Sequence, residues 1–290
     1  MEPWLDRAAS RRGFDAASGT DALAREIEIR LAERLQYVKL SPARIIDAAS
    51  GAGASRAYLR AQYPAADVLS IDSSFQSLRN GRAPATWLRS LKGVFQTERE
   101  HWLAADMSRM PLVTASVDLL WSNLGLAWAD NPLACFKEWH RVLSVGGLLM
   151  FTTYGPDTLK ELRAAFADDP FPHIHPFIDM HDLGDMMMAS GFAEPVMDME
   201  MLTLTYADVP AVLADLRETG QTNAHLGRRR GLTGRRAWTQ MQSRYGALRQ
   251  GGRIPATFEI VYGHAWKPAP RETGDGRQIV HFKARPNSLP

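Results

Sequence analysis

The sequence predicts a doubly wound α/β fold, in which a seven-stranded, mostly parallel sheet carries a helical insertion between its last two strands. Through the first half of the chain, short apolar runs alternate with segments of helical spacing, as in consecutive βα units. Three of these runs lead to an aspartate, namely Asp47, Asp72 and Asp106. The carboxyl ends of parallel strands meet in one crevice, so we expect a ligand site there.

The composition is that of an ordinary globular protein, with 290 residues, 45% hydrophobic and 23% charged. A net charge of +2 argues against a general nucleic-acid binder. The single cysteine, Cys135, excludes an internal disulfide and favours a reducing compartment. The sequence has neither an apolar run of membrane-spanning length nor a secretory signal at its start. We expect a cytoplasmic monomer without a metal site.

The spacing of the apolar runs divides the chain into four regions. Residues 1–41 form an N-terminal helical cap, residues 42–155 the cofactor-binding core, residues 156–267 the substrate-side helices with the last two strands, and residues 268–290 a mostly flexible tail. Within the cap, residues 20–37 repeat leucine or isoleucine every fourth position, which predicts an amphipathic helix.

The first βα unit contains a glycine turn. An apolar run at Ile45 and Ile46 passes through Asp47 to Gly51 and Gly53, and a helical segment follows. A strand, a glycine turn and a helix start together present backbone N–H groups to a nucleotide-like ligand. Plain βα loops give the same pattern, so this motif alone leaves both interpretations open.

The second strand, residues 68–72, ends at Asp72, about 20 residues after the glycine turn. At this spacing a carboxylate can accept hydrogen bonds from ribose hydroxyls, which makes adenosine-containing cofactors the first candidates. Ser73 follows and opens a capped helix. From Gly81 to Glu100 the composition predicts an enlarged, exposed connection.

A third strand at residues 101–106 ends at Asp106, and Met107 follows directly. This carboxylate can bind an adenine amino group while the methionine covers the ring, although an ordinary turn aspartate gives the same pattern. The fourth strand, residues 116–121, leads to Asn123, whose amide we expect to face the same crevice.

The remaining elements follow from periodicity. We expect helices at residues 132–143, 156–166, 179–190, 208–219 and 237–248, and strands at residues 148–153, 196–206 and 257–266. The strand at residues 148–153 is almost continuously apolar, which is typical of a strand buried on both faces of a sheet.

The glycine turn also separates two cofactor classes. A dinucleotide fingerprint needs a third glycine three positions after the second, where this chain has Arg56. The bulk of Arg56 argues against a nicotinamide dinucleotide. Acids and an amide near the strand ends suit instead a ligand with a ribose, an adenine and a cationic amino-acid end.

The core segments resemble those of the class I S-adenosylmethionine-dependent methyltransferases, at residues 46–53, 68–72, 105–106, 116–123 and 140–147. More narrowly, the chain resembles the malonyl-acyl-carrier-protein O-methyltransferase family of biotin synthesis over about residues 7–267. The narrower likeness rests on residues 121–124, 151–159, 231–234 and 262–266.

The resemblance implies S-adenosyl-L-methionine as the cofactor, and the carboxylate of a malonyl-acyl-carrier protein or of a small acid thioester as the methyl acceptor. The cofactor-binding residues that it implies are Asp47, Ala49, Gly51, Gly53, Asp72, Ser73, Asp106, Met107 and Asn123. The residues implied for the substrate or carrier protein are Phe14, Tyr154, Arg228, Arg229 and Arg230. Because a carboxylate is already ionised near pH 7, no strong general base is required, and we assign no catalytic residue.

Two positions depart from the family pattern. Ala49 stands where the glycine-rich start usually has its first glycine, so a methyl group there crowds the cofactor or shifts the loop. Phe14 stands where the family usually has tyrosine, so a substrate-facing hydroxyl is absent.

Three alternatives stay open from the sequence. The chain can methylate a different small acid. It can be a non-methylating relative, such as a complex I assembly-type protein-arginine hydroxylase. It can also be a scaffold that kept the fold and lost cofactor binding, an alternative motivated by Ala49.

Overall fold

The computed structural model describes residues 3–18, 21–81 and 100–270. Most of the predicted exposed connection, residues 82–99, and residues 271–290 of the predicted tail lie outside these ranges. Within them, the helices are all too short or too polar to cross a membrane.

One seven-stranded sheet organises the described residues. Its strands are β1 (Arg44–Ala48), β2 (Asp67–Asp72), β3 (Glu100–Ala104), β4 (Val117–Ser122), β5 (Leu143–Tyr154), β6 (Ala193–Tyr206) and β7 (Ile254–Trp266). Their order is β3-β2-β1-β4-β5-β7-β6. The first five strands pair in parallel, whereas β7 is antiparallel to both β5 and β6. The predicted seven-stranded, mostly parallel sheet is therefore confirmed.

Helices cover both faces of this sheet. They are α1 (Arg7–Asp15), α2 (Ala22–Leu35), α3 (Ala54–Gln62), α4 (Phe75–Gly81), α5 (Pro132–Val142), α6 (Lys160–Ala165), α7 (Met180–Ala189), α8 (Val209–Glu218) and α9 (Arg235–Gly246), and a 3₁₀ turn spans Gly125–Trp128. Helices α8 and α9 form the predicted insertion between β6 and β7.

Apolar side chains fill both faces. Along β1, Ile45 packs into the cluster that includes α2 and α6, and its neighbour Ile46 packs into the cluster that includes α5 and α7. Successive strand residues point to opposite faces, so a strand covered on both sides must be apolar throughout. Leu148 and Leu149 of β5 divide between the two clusters in the same way.

The strand order reverses beside β1. The chain passes from β1 outward to β2 and β3 on one side, and then returns to place β4 on the other side. In open α/β sheets, ligands bind at the carboxyl ends of the strands at such a reversal. The residues that follow β1, β2, β3 and β4 therefore surround one position.

The N-terminal cap contains a helix that the sequence analysis did not foresee. Asp6 precedes α1 and accepts a hydrogen bond of 3.0 Å from the Ala9 N–H, which caps its first turn. The amphipathic helix predicted at residues 20–37 is confirmed as α2. It begins after Asp21, whose carboxylate accepts a hydrogen bond of 2.7 Å from the Ala24 N–H.

Two predicted boundaries are wrong. Helix α6 begins at Lys160 and not at residue 156, because Leu159 has a left-handed backbone with φ of 54°. Strand β3 ends at Ala104, so Asp106 lies in the turn that follows the strand. The Asp106 carboxylate accepts a hydrogen bond of 2.8 Å from the Ser108 N–H, which closes this turn.

Candidate functional site

A cavity of about 1120 Å³ lies at the carboxyl ends of β1, β2, β3 and β4, with α1 and α2 contributing to its wall. It brings together nine of the residues predicted for the site, namely Phe14, Ala49, Gly51, Asp72, Ser73, Asp106, Met107, Asn123 and Tyr154. Their common position supports one ligand site, while the role of each stays a prediction.

The glycine turn forms one wall of this cavity. Between β1 and α3 the backbone is left-handed at Ala49, Gly51 and Gly53, with φ of 55°, 53° and 75°. Glycine adopts this conformation freely, whereas the Cβ of alanine makes it strained. Gly51 lines the cavity. Gly53 was predicted to contact the cofactor as well, but it does not line the cavity.

The Asp72 carboxylate connects two turns beside the cavity. One oxygen accepts a hydrogen bond of 2.8 Å from the Gly51 N–H, and the other accepts one of 2.7 Å from the Ser74 N–H. Burial raises the pKa of Asp72, and these two hydrogen bonds oppose that shift. Because each oxygen has a further lone pair, Asp72 can also accept hydrogen bonds from the hydroxyls of a ribose.

Asp106 lines the cavity but already has partners. Beside its bonds from Ser108, it accepts a hydrogen bond of 2.6 Å from the Arg7 guanidinium. These contacts outweigh desolvation and lower the pKa of Asp106. Arg7 also donates to Asp130 at 2.7 Å, so the first helix is attached to the turn after β3.

Asn123 also uses both ends of its amide within the protein. Its nitrogen donates to the Ala24 carbonyl at 2.9 Å, and its oxygen accepts from the Thr152 hydroxyl at 2.7 Å. Asn123 therefore links the end of β4 to α2 and β5. This position shapes the cavity wall and leaves one lone pair of the amide oxygen for a ligand.

Asp47 does not line the cavity, contrary to the expected direct contact. Strand β1 lies between β2 and β4, so the Asp47 side chain is only 1% exposed. Its Oδ2 has no hydrogen-bond partner among the described residues. Burial, together with the negative charges of Glu28 and Asp72, raises the pKa of Asp47 well above its ordinary value.

Glu28 of α2 is a site residue that the sequence analysis missed. It lines the cavity and is buried, and its Oε1 has no partner within the described ranges. Burial raises the pKa of Glu28, opposed by a hydrogen bond from Ser55 and the charge of Arg25. The signal was present in the sequence, because Glu28 falls on the apolar side of α2, beside Ile27 and Leu31.

The carboxylates of Glu28, Asp47 and Asp72 fit the cofactor S-adenosylmethionine. Glu28 and Asp47 each keep a buried oxygen without a partner in the described part of the chain, and such an oxygen is costly to leave unpaired. A cationic amino group and sulfonium would supply the missing positive charge. Asp72 would accept from the ribose, as described above.

Besides Arg7, two further arginines of the cap line the cavity, Arg11 on α1 and Arg25 on α2. Their guanidinium groups make no hydrogen bond or ion pair with another described residue. Neither was predicted as a site residue. A cation free in this way can bind an anionic group of a substrate.

The predicted arginine cluster lies elsewhere. Arg228 and Arg230 donate to Asp6 at 2.9 and 3.2 Å, and Arg229 donates to Asp169 at 3.2 Å. These arginines do not line the cavity. Neighbouring acids bind their guanidinium groups, and the predicted contact of these arginines with substrate or carrier protein stays a prediction.

Two further predicted residues, Tyr154 and Phe14, also line the cavity. Tyr154, at the end of β5, donates a hydrogen bond of 3.0 Å to the Gln221 side chain. Phe14 packs edge-on against Trp128, with 4.8 Å between ring centroids. The wall at Phe14 is therefore aromatic and carries no hydroxyl.

Comparison with solved structures identifies the fold. The chain is 14% identical to the YcgJ protein of Bacillus subtilis, with a TM-score of 0.57 over 83% of this chain and 98% of that one. It is 18% identical to the cyclase SpnF, with a TM-score of 0.52 over 88% of this chain and 85% of that one. Since the second protein is a cyclase, the fold alone does not determine the reaction.

Comparison of sequences is more specific. A family described as a methyltransferase domain matches residues 46–151. The malonyl-acyl-carrier protein O-methyltransferase of Gallionella capsiferriformans is 49% identical over 95% of this chain and 96% of its own length. The protein of that name from Laribacter hongkongensis is 46% identical over 96% of each chain. The chain therefore belongs to the malonyl-acyl-carrier protein O-methyltransferase family.

Proposed function

We propose that the protein transfers a methyl group from S-adenosylmethionine to the free carboxylate of malonyl-acyl-carrier protein, a step in biotin synthesis. The observation that carries this proposal is the lining of one cavity. Carboxylates suited to an adenosyl sulfonium cation and two arginines suited to an acidic substrate line the same space. The names of the similar proteins favour methyl transfer over arginine hydroxylation.

The size of the cavity supports two ligands. Pockets for a single small molecule usually measure roughly 300–1,000 Å³. At about 1120 Å³, this cavity exceeds that range and has room for a cofactor and an acyl group together. Arg11 or Arg25 would then fix the malonyl carboxylate beside the cofactor.

The reaction makes modest chemical demands on the protein. S-adenosylmethionine, when bound, supplies a methyl group that forms a bond to a carboxylate oxygen while its bond to sulfur breaks and leaves the electron pair on sulfur. A carboxyl group with a pKa near 4 is ionised at neutral pH, so the protein has no proton to remove. Its task is to align the carboxylate and to exclude water, which explains why the cavity wall beside Phe14 and Trp128 is aromatic.

Mass spectrometry of the acyl chain tests the proposal. The protein is incubated with S-adenosylmethionine and malonyl-, succinyl- or acetyl-acyl-carrier protein. We expect one added methyl group on the malonyl chain and none on the acetyl chain, which has no free carboxylate. A preparation that binds S-adenosylhomocysteine but leaves malonyl-acyl-carrier protein unmodified would contradict the proposed substrate.

A further inference from the structure

A second cavity of about 310 Å³ lies between α6, α8 and the loops at residues 173–177 and 221–223. Most of its wall is apolar, formed by Trp128, Tyr154, Leu159, Leu162, Phe166, Ile174, Phe177, Leu213, Leu216 and Trp238. Of the predicted site residues, Tyr154 alone lines it. Its volume is at the lower end of the range for small-molecule pockets, roughly 300–1,000 Å³.

The second cavity adjoins the first. Trp128, Tyr154 and Gln221 line both. Gln221 accepts from the Tyr154 hydroxyl at 3.0 Å and donates to the Asp21 carboxylate at 3.0 Å. Two aromatic rings and one amide therefore form the shared wall, and a long ligand can occupy both cavities only by passing these side chains.

Eight polar residues also line the second cavity, namely Thr158, His173, His175, Arg217, Gln221, Thr222, Asn223 and Thr233. The hydroxyls of Thr222 and Thr233 make no hydrogen bond with another described residue, so they are available to amide groups of a ligand. Arg217 of α8 also lines the cavity and is exposed. Within residues 3–18, 21–81 and 100–270, its guanidinium forms no ion pair.

We propose that the second cavity binds the phosphopantetheine arm of the acyl thioester and that Arg217 binds the phosphate at the end of the arm. This inference rests on the proposed function. The arm is a long, narrow chain with an apolar dimethyl group, two amides and a terminal phosphate. An apolar cavity with two free hydroxyls and one free cation matches these groups in kind. The malonyl end would pass Tyr154 and reach the first cavity.

The first test fills the second cavity. In Leu213→Trp, the larger side chain occupies the space of the arm, while the wall of the first cavity is unchanged. Calorimetry measures the affinity of the S-adenosylhomocysteine-bound protein for malonyl-acyl-carrier protein, and we expect at least a tenfold loss. Affinity for S-adenosylhomocysteine alone should stay the same. Unchanged carrier affinity in this variant would overturn the proposal.

The second test removes the cation and keeps the fold, because Arg217 is exposed. Arg217→Gln should bind malonyl-coenzyme A and malonyl-acyl-carrier protein about fivefold more weakly, and malonyl-pantetheine, which lacks the phosphate, equally well. Arg236→Gln is the matched control, since it removes the same charge from α9 without touching the cavity. The proposed phosphate site would be overturned if Arg217→Gln and Arg236→Gln lost equal affinity for malonyl-acyl-carrier protein and neither lost affinity for malonyl-coenzyme A. Arg217 would then act in protein docking.

These outcomes are distinguishable from failure of the proposed function. The binding measurements require no methyl transfer. If the wild-type protein binds the arm but modifies no malonyl thioester, the proposed reaction fails and the arm site stands. If it methylates malonyl-acyl-carrier protein and Leu213→Trp has wild-type KM and carrier affinity, the reaction stands and the arm site fails.

Discussion

Arg7 of the first helix donates a hydrogen bond of 2.6 Å to Asp106, an acid that we predict to bind the adenine amino group. The same guanidinium donates to Asp130 at 2.7 Å. Helix α1 is therefore fixed to the turn after β3, and a ligand that binds Asp106 does so beside Arg7. Because α1 also lines the cavity, this pair connects the order of the helix to the shape of the ligand site.

The first prediction concerns the attachment of α1. Arg7→Gln removes both ion pairs and leaves the Asp6 cap intact, so the helix should open more often. The Arg7 and Asp106 side chains are 58% and 42% exposed, so we expect a modest effect of about 1 kcal/mol, or about fivefold. Hydrogen exchange of the α1 amides and the dissociation rate of S-adenosylhomocysteine should both rise by this factor.

Arg12→Gln is the control for this prediction. Arg12 lies on the same helix, is exposed and does not line the cavity. Its removal changes the charge of α1 by the same amount. Equal exchange rates in the two variants would show that the ion pairs of Arg7 do not hold the helix.

The second prediction concerns the departure at Ala49. At Ala49 the backbone is left-handed, with φ of 55°, and Ala49→Gly removes a strain of roughly 1–2 kcal/mol from the folded protein. Glycine also gives the unfolded chain more conformational freedom, which offsets roughly 0.4–1 kcal/mol of this gain in stability. We expect a net gain between zero and about 1.6 kcal/mol in the free energy of unfolding, measured by urea denaturation. Affinity for S-adenosylhomocysteine should rise as well, because Ala49 lines the cavity.

Ala115 provides a matched control for Ala49. It is also a left-handed alanine, with φ of 53°, but it is exposed and does not line the cavity. Ala115→Gly should give a similar gain in stability without any change in ligand affinity. If both substitutions change stability alone, the methyl group of Ala49 does not restrict the cofactor.

The third prediction concerns the methyl acceptor. Arg11→Gln removes a cation from the cavity wall, so KM for malonyl-acyl-carrier protein should rise about tenfold. Affinity for S-adenosylhomocysteine should stay the same, because we assign Arg11 to the carboxylate of the methyl acceptor and not to the cofactor. Steady-state kinetics and calorimetry measure the two quantities, and Arg12→Gln again removes an equal charge from outside the cavity. An unchanged KM in Arg11→Gln would leave Arg25 as the residue that binds the carboxylate.

Local patterns predicted the sheet and the position of the ligand site. The acid that ends β2, Asp72, lies in the cavity as expected, because strand ends are determined by short apolar runs in the sequence. The helix α1 lacks such a run. Its main contact, from Arg7 to Asp106, joins residues 99 positions apart, and a single sequence does not reveal such a pair.

The same limit explains why the sequence did not reveal the ion-pair partners of the arginine cluster. Three consecutive arginines predict a basic surface, but Arg228 and Arg230 lie beside Asp6, which is more than 200 positions away. Asp47 illustrates a different limit. Its place after an apolar run was visible, whereas its burial depends on the two strands that flank β1. Of these features, only the role of Glu28 could have been predicted from the sequence, since a carboxylate on an apolar helix face needs a partner.

The last prediction concerns the pH dependence of Glu28. Burial raises the pKa of this carboxyl group in the folded protein above its ordinary value of 4.5. The unfolded chain therefore releases its proton first, and the free energy of unfolding falls as pH rises from about 4.5 through the higher folded pKa. A bound amino group reverses the preference, because it stabilises the ionised form. Affinity for S-adenosylhomocysteine should therefore rise over the same pH range.

Glu28→Gln separates this carboxylate from its neighbours. At neutral pH the variant should bind S-adenosylhomocysteine roughly 10- to 100-fold more weakly, because a hydrogen bond to a charged group contributes about 1.5–3 kcal/mol. The rise of affinity with pH should shrink to the part that Asp47 and Asp72 contribute, since both are also buried acids with a raised pKa. Without ligand, the variant should lose less stability above pH 5 than the wild type.

Glu33→Gln, an exposed substitution on the same helix, should reproduce the wild-type pH profile in calorimetry and urea denaturation. A Glu28→Gln profile that matches that of Glu33→Gln would exclude Glu28 as a ligand for the amino group.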